Sequence, residues 1–308
     1  MLTTSRRVWN LLRFTGLLVL LFGLGLGGVI AGQSYQIAQF GLSPRRLEVG
    51  LPPPPLADGR AYLPVSFRTR DGLLLRAWYL APNPSNPWTL LLAHGHAGSR
   101  RGLLPEAELL APRGYGLLLF DFRAHGLSEG DHTSLGDLER LDVFAALDFL
   151  QAQPQTQRLG GIGFSMGAAV LGMAAVQDQR LEAVVLEAAF PSLWDEALFR
   201  ARAFGPLSQL PALLAMRQQG LNFDIQTPLA AICHIPPRPL LLIYGAQDDA
   251  IPPGSVERMQ AAAASCPPAQ IWVIPSLGHQ SPLQSLPQEY EQRLLELFPV
   301  GLVKPITD

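Results

Sequence analysis

From Trp88 onward the chain keeps returning to one device: a short, almost uncharged apolar run followed by a stretch with helical spacing. The runs are "WTLLLAHG" (88–95), "YGLLLFDF" (115–122), "RLGGIGF" (158–164), "LEAVVLEAA" (181–189), "RPLLLIYG" (238–245) and "AQIWVIP" (269–275). Runs this short and this apolar fit strands buried on both faces, the situation of a parallel sheet. The intervening segments 135–151, 167–176, 255–264 and 288–298 carry apolar residues at helical intervals, as Leu138, Leu141, Ala145 and Phe149 do in the first. Strand and helix in alternation specify an α/β fold, a doubly wound, mostly parallel sheet. An antiparallel hairpin leads it in: "YLPVSFRT" (62–69) and "LLLRAWYLAP" (73–82) flank an Asp71-Gly72 turn signal. The rhythm breaks once. Between Phe190 and Pro237 no clear strand occurs, while "LWDEALFRARAF" and "PALLAMRQQG" look helical, so a small helical cap is expected at about 191–236.

The N-terminus follows different rules. After Arg6, Arg7 and Arg13, the run "FTGLLVLLFGLGLGGVIAG" (14–32) is uncharged and long enough to cross a bilayer. The next basic pair, Arg45 and Arg46, lies well beyond it, so the charge bias puts the N-terminus in the cytoplasm and the rest on the exported side. The run suits a single-pass signal anchor in the membrane. Val29–Ala31 also resembles a signal-peptide cleavage site, which would release a secreted protein at about Ala31. Gly23 and Gly27 form a GxxxG pair, a helix-dimerisation pattern or simply a glycine-rich helix. The expected division is therefore 1–32 as anchor, 33–58 as a linker whose "LPPPPL" forms a semi-rigid spacer, and 59–308 as the main domain. A net charge of −2 and the lack of any basic patch speak against nucleic acid as a partner. Cys233 and Cys266 show no metal-ligand spacing. Whether they pair, which export would permit, is not readable from spacing.

The chemistry concentrates in Gly163-Phe-Ser165-Met-Gly167, a G-x-S-x-G pentapeptide that follows an expected strand and opens an expected helix. That is the setting of a nucleophile elbow, where small neighbours let the backbone turn sharply and the hydroxyl project clear of the sheet. A packing or phosphate-binding turn is the plainer reading. A Walker loop is excluded, because no Gly-Lys-Ser/Thr follows. Downstream the order acid then histidine is found: Asp248 just past the run 238–245, and His279 just past the run 269–275. All three thus belong to the carboxyl ends of strands, where open α/β sheets place their sites. A serine hydroxyl becomes a nucleophile only when a histidine takes its proton, and a carboxylate orients that histidine. The loop "LLLAHGHAGS" (90–99) follows the first parallel strand, and the backbone amides of His96 and Met166 are the candidate oxyanion donors. Asp249 competes with Asp248, and Glu187 is an alternative acid. His94, His125, Asp121 and Arg123 read as loop scaffolding, and His132 and His234 as surface residues. Trp194, Phe199, Phe204 and Met216 either line an acyl pocket or pack the cap.

With these motifs in order, residues 62–298 resemble the α/β-hydrolase superfamily. "HGHAGS", "DFRAHGLSEG", "GFSMG", "YGAQDDAIPP" and "GHQSP" carry the likeness, most of all to the prokaryotic, often membrane-anchored, serine aminopeptidase-like and Bem46-like branch. The resemblance implies an α/β-hydrolase fold and a Ser165–His279–Asp248 triad. It implies carboxylesterase-like chemistry on a small acyl substrate, with no metal or organic cofactor. Acyl transfer, peptidase or thioesterase activity on the same fold stays open, as does an inactive, membrane-tethered binding protein; the oligomeric state is not addressed. Ala124 stands where the family more often has glycine.

Overall fold

The computed structural model describes residues 2–202, 205–225 and 227–300. The chain divides into two compact units, Leu42–Glu196 with Leu221–Asp308, and Met1–Gly41 with Ala197–Gly220.

The larger unit is built on one eight-stranded sheet. Its strands are β1 (Leu63–Arg68), β2 (Leu74–Leu80), β3 (Trp88–Ala93), β4 (Gly116–Phe120), β5 (Arg158–Phe164), β6 (Leu181–Glu187), β7 (Leu240–Gly245) and β8 (Gln270–Ile274). The order across the sheet is β1-β2-β4-β3-β5-β6-β7-β8, antiparallel at β1–β2 and β2–β4 and parallel throughout the rest. The hairpin turns at Gly72, whose φ of 95° is open to glycine at no steric cost. Every residue of β3, β4 and β7 is buried, as strands covered on both faces must be.

Alternation sorts the side chains into two layers. On one face Leu90, Leu92, Leu117, Leu119, Ile162 and Val185 join residues of α2 (Leu104–Leu110) and α9 (Pro287–Leu297) in one core cluster. The other face receives α3 (Glu139–Gln151) and α4 (Met166–Gln177). Gly160 and Gly161 make both approaches possible. A Cβ on Gly160 would meet Phe298 at 2.5 Å, and one on Gly161 would meet Leu171 of α4 at 2.8 Å. The strand is thus stripped of side chains where each layer comes closest.

Between β6 and β7 the chain forms α5 (Leu193–Ala201), α6 (Pro206–Gln218) and α7 (Pro228–His234); α8 (Ser255–Ser265) follows β7. Cys233 of α7 and Cys266, just after α8, form a disulfide. Phe204 lies outside the described residues.

Three local details differ from the expectations. α3 begins at Glu139, not at 135, because Leu135 has a φ of 56° and the Glu139 carboxylate accepts bonds from the Ser134 and Gly136 amides to form a turn there. The segment expected to act as a spacer is fastened down. Arg46 donates to the carbonyls of Gly126, Ser128 and Gly130; just past the segment, Arg60 donates to those of Ala81, Ala111 and Tyr115. Finally, α1 (Leu2–Leu42) continues ten residues past Gly32 before the proline-rich segment starts.

In the smaller unit, residues Val8–Gln36 of α1 have a mean hydropathy of 2.2 and none of their apolar window is covered by protein. At 1.5 Å per residue these 29 residues span about 44 Å, more than the ~30 Å hydrocarbon layer. The helix is a candidate membrane span by length and composition.

Candidate active site

The chain leaves β3 toward β4 on one side and returns to β5 on the other, so the carboxyl ends of β3 and β5 form a topological switch point, where open sheets leave a crevice. Ser165 stands at this point, between the last residue of β5 and the first of α4. Its backbone is in a strained region, φ 53° and ψ −117°. The fold holds it there: the Ser165 amide donates to the Glu187 carbonyl at 2.8 Å, and the Ser165 carbonyl accepts from the Ala169 amide at 3.1 Å. Gly167 lets the first turn of α4 slide under the end of β3, since a Cβ there would lie 2.1 Å from the Ala93 carbonyl oxygen.

The three side chains picked out in the sequence meet. His279 Nε2 lies 3.0 Å from Ser165 Oγ, and His279 Nδ1 lies 2.8 Å from Asp248 Oδ2. The Asp248 side chain is fully buried, and its other oxygen accepts the Ala250 amide at 2.9 Å, so both oxygens are engaged and the carboxylate cannot turn away from the imidazole. Asp249 is exposed. Glu187 points elsewhere: the Tyr290 hydroxyl donates to its Oε1 at 2.5 Å. Phe164 packs its ring 5.0 Å from that of His279 and covers one side of the imidazole.

The loop after β3 passes over the serine, for a Cβ on Gly95 would lie 3.3 Å from Ser165 Cβ. His96 belongs to this loop, and Met166 supplies the first amide of α4, one of the donors that a helix start leaves without an intrahelical partner. Two buried histidines shape the loop. His94 donates from Nδ1 to the Gly95 carbonyl at 2.7 Å and accepts the Phe122 amide on Nε2 at 3.1 Å. Burial pushes its pKa down to about 3, so it stays neutral. His125 donates from Nδ1 to the Arg123 carbonyl and accepts the Ala97 amide at 3.2 Å; burial lowers its pKa as well. Asp121 accepts the Arg100 and Leu127 amides and pairs with the Arg100 guanidinium, while Arg123 clamps Asp142 and Asp71. These four serve the loops. Ala124 sits among them at φ 61°, a conformation that favours the glycine usual at this place.

A cavity of about 280 Å³ lies between this loop and the segment after His279, with Phe164, the chain neighbour of Ser165, in its wall. Leu103, Phe164 and Leu283 wall it, and Glu106 and Ser281 add polar groups. Between β6 and β7, Trp194 packs edge-on against Phe223, Phe199 lies under the Arg202 guanidinium, and Met216 is buried. His132 and His234 are exposed. Among the described residues no three His, Cys, Asp or Glu side chains gather as metal ligands. Sequence reasoning missed Glu106 and Tyr290. The signal for the first was a carboxyl on the apolar stripe formed by Leu103, Ala107 and Leu110; nothing local marked the second.

Known proteins agree with this architecture. A model of the alpha/beta hydrolase family matches residues 90–293. An uncharacterized protein of Mycobacterium tuberculosis is 31% identical over 236 residues, 74% of this chain and 77% of its own length. The uncharacterized protein YfhR of Escherichia coli is 28% identical over 224 residues, 70% of this chain and 72% of its own length. Among solved structures, an esterase of Pyrococcus furiosus, Pf2001, is similar with a TM-score of 0.68 at 27% identity, covering 83% of this chain and 96% of that one.

Proposed function

The chain belongs to the alpha/beta hydrolase family, and on that footing we propose that it is a serine hydrolase which cleaves carboxylic esters through an acyl-enzyme. Ser165 Oγ attacks the ester carbonyl carbon while its proton passes to His279 Nε2. Asp248 holds Nδ1–H and stabilises the imidazolium that forms. The amides of His96 and Met166 receive the negative charge that develops on the carbonyl oxygen, a contribution worth about 10²–10³ in rate per donor. The tetrahedral species collapses, and the leaving alcohol takes the proton from His279. Water then repeats the sequence, releasing the acid and restoring Ser165. No metal or organic cofactor enters the scheme.

The observation that carries this reading is the continuous chain from Ser165 Oγ through His279 to Asp248, at 3.0 and 2.8 Å, on a serine held at φ 53°. A structural turn has no need of a histidine so placed, nor of a carboxylate buried behind it. The likeness to the Pyrococcus furiosus esterase supports an ester over an amide or thioester. We further place the enzyme on the exported side of a membrane, anchored by α1 with its N-terminus in the cytoplasm. The charge bias around α1 supports this, as does the Cys233–Cys266 disulfide, a bond that persists in oxidising compartments.

The test is active-site labelling of the full chain with a fluorophosphonate, together with a p-nitrophenyl ester chain-length series run with and without added alcohol. The wild type takes the label, Ser165→Ala does not, and the product is the free acid. Acyl groups appearing on the added alcohol would make it an acyltransferase instead. Folded wild-type protein that neither labels nor turns over any ester would refute the enzyme.

A further inference from the structure

The cavity that Phe164 walls ends on a carboxyl that the proposed chemistry does not use. Glu106 of α2 is only 4% exposed and lines the cavity, yet its Oε2 has no hydrogen-bond partner. Behind it Glu187 is 3% exposed; the Tyr290 hydroxyl occupies its Oε1, while Oε2 is unpartnered. Ser281, two residues beyond His279, lines the same cavity, and its hydroxyl lowers the pKa of both carboxyls. Against that, burial raises the carboxyl of Glu106, and burial followed by the charge of Glu106 pushes that of Glu187 up to about 8. The charge that acts on Glu187 is that of its fellow acid, with no guanidinium answering it. Two buried acids are thus set at one end of a pocket whose apolar walls are Leu103, Phe164 and Leu283. Leaving a buried acceptor unanswered is costly, and a donor carried by the substrate would answer it.

We infer that Glu106 and Ser281 form a subsite for a primary ammonium group on the substrate, with the apolar walls holding the alkyl chain between that group and the scissile carbonyl. An ammonium brings three donors and a positive charge. One N–H goes to Glu106 Oε2 and a second to Ser281 Oγ, and the charge faces the two acids. A hydroxyl would satisfy one oxygen and bring no charge. The assignment of the scissile carbonyl rests on the reading of Ser165 as nucleophile; the binding of the ammonium does not.

The experiment therefore has two arms on the full chain. The first compares kcat/KM for p-nitrophenyl hexanoate, 6-hydroxyhexanoate, 6-aminohexanoate and 8-aminooctanoate. An aminoacyl ester is expected to be preferred over its plain counterpart by about 10- to 100-fold, the range of a hydrogen bond to a charged partner. Glu106→Gln abolishes the preference ratio and Glu106→Asp keeps part of it, with melting curves showing that both variants fold. The second arm titrates hexylamine, and separately hexanol, into Ser165→Ala by calorimetry, and expects binding of the amine that Glu106→Gln removes. Equal rates for amino and plain esters, a preference for the hydroxy ester, or a preference that survives Glu106→Gln would each overturn the subsite. Amine binding without turnover of any ester would leave the subsite standing and remove the esterase reading. Ester turnover with no amine binding would do the reverse.

Discussion

Gly167 offers the sharpest test of how Ser165, the proposed nucleophile, is held. A Cβ at this position falls 2.1 Å from the Ala93 carbonyl oxygen and 2.6 Å from that of His94. Carbon–oxygen contacts are comfortable at about 3.3–3.6 Å, so Gly167→Ala must move the start of α4 away from the end of β3 by about 1 Å. Both obstacles are backbone, so no side chain can swing aside. Overpacking of this kind costs about 1–3 kcal/mol, and the upper end applies here. The displaced turn carries Ser165 and the Met166 amide. A 1 Å error at a reacting group costs about 100-fold, and loss of one oxyanion donor a further 10²–10³. The expectation is a fall in kcat/KM of at least about 100-fold, read with a p-nitrophenyl ester, while the melting temperature falls only several degrees. Gly172→Ala is the control. Its nearest contact is Leu186 Cδ1 at 3.0 Å, the tip of a side chain that can turn away. Replacing a mid-helix glycine gains up to about 1 kcal/mol, so this variant should keep its rate within about threefold. A folded Gly167→Ala with wild-type activity, or a Gly172→Ala as inactive as Gly167→Ala, would refute the steric reasoning.

Two further outcomes follow from buried groups. The folded-state pKa of Glu187 is raised to about 8 from an ordinary 4.5, so the native state keeps a proton that the unfolded chain has released. Stability therefore falls as pH rises between those values, by about 1.4 kcal/mol per pH unit, and levels off above pH 8. Glu187→Gln retains an acceptor for Tyr290 and removes this linkage. Urea denaturation of the full chain in detergent should show the variant gaining up to about 4 kcal/mol on wild type between pH 5 and 8, and parallel profiles would contradict it. The Cys233–Cys266 bridge spans 33 positions, which corresponds to a loop-closure contribution of about 4 kcal/mol at most. Cys233→Ser should cost about 2–4 kcal/mol in the same assay, and wild-type protein from its own cell should react with maleimide only after reduction. Thiols that react at once would contradict an exported domain.

The architecture was legible where burial writes itself into local composition. The apolar runs at 88–95, 115–122 and 238–245 became β3, β4 and β7 because a strand covered on both faces has no room for charge. The crossing of β3 and β4 in the sheet order was not legible, for it depends on how the chain connects and not on any one segment. The seven-residue helix α7 is too short to show a period. The grip of Arg46 on carbonyls 80 to 84 residues away leaves no local mark. At the candidate site, the order Ser165, Asp248, His279 was readable because each follows a strand. The pairing of Glu187 with Tyr290, 103 residues apart, was not, since long-range contacts between single polar groups have no signature in spacing.

Because Cys233 precedes β7 and Cys266 follows α8, their bond closes a covalent ring that contains Asp248 and excludes both Ser165 and His279. Opening the ring slackens the acid's mooring alone. A reduced enzyme would still present its alcohol and its imidazole face to face, but with the third partner on a longer leash. On the proposed reading, oxidation then does more than toughen this fold: it ties down the segment that carries the acid.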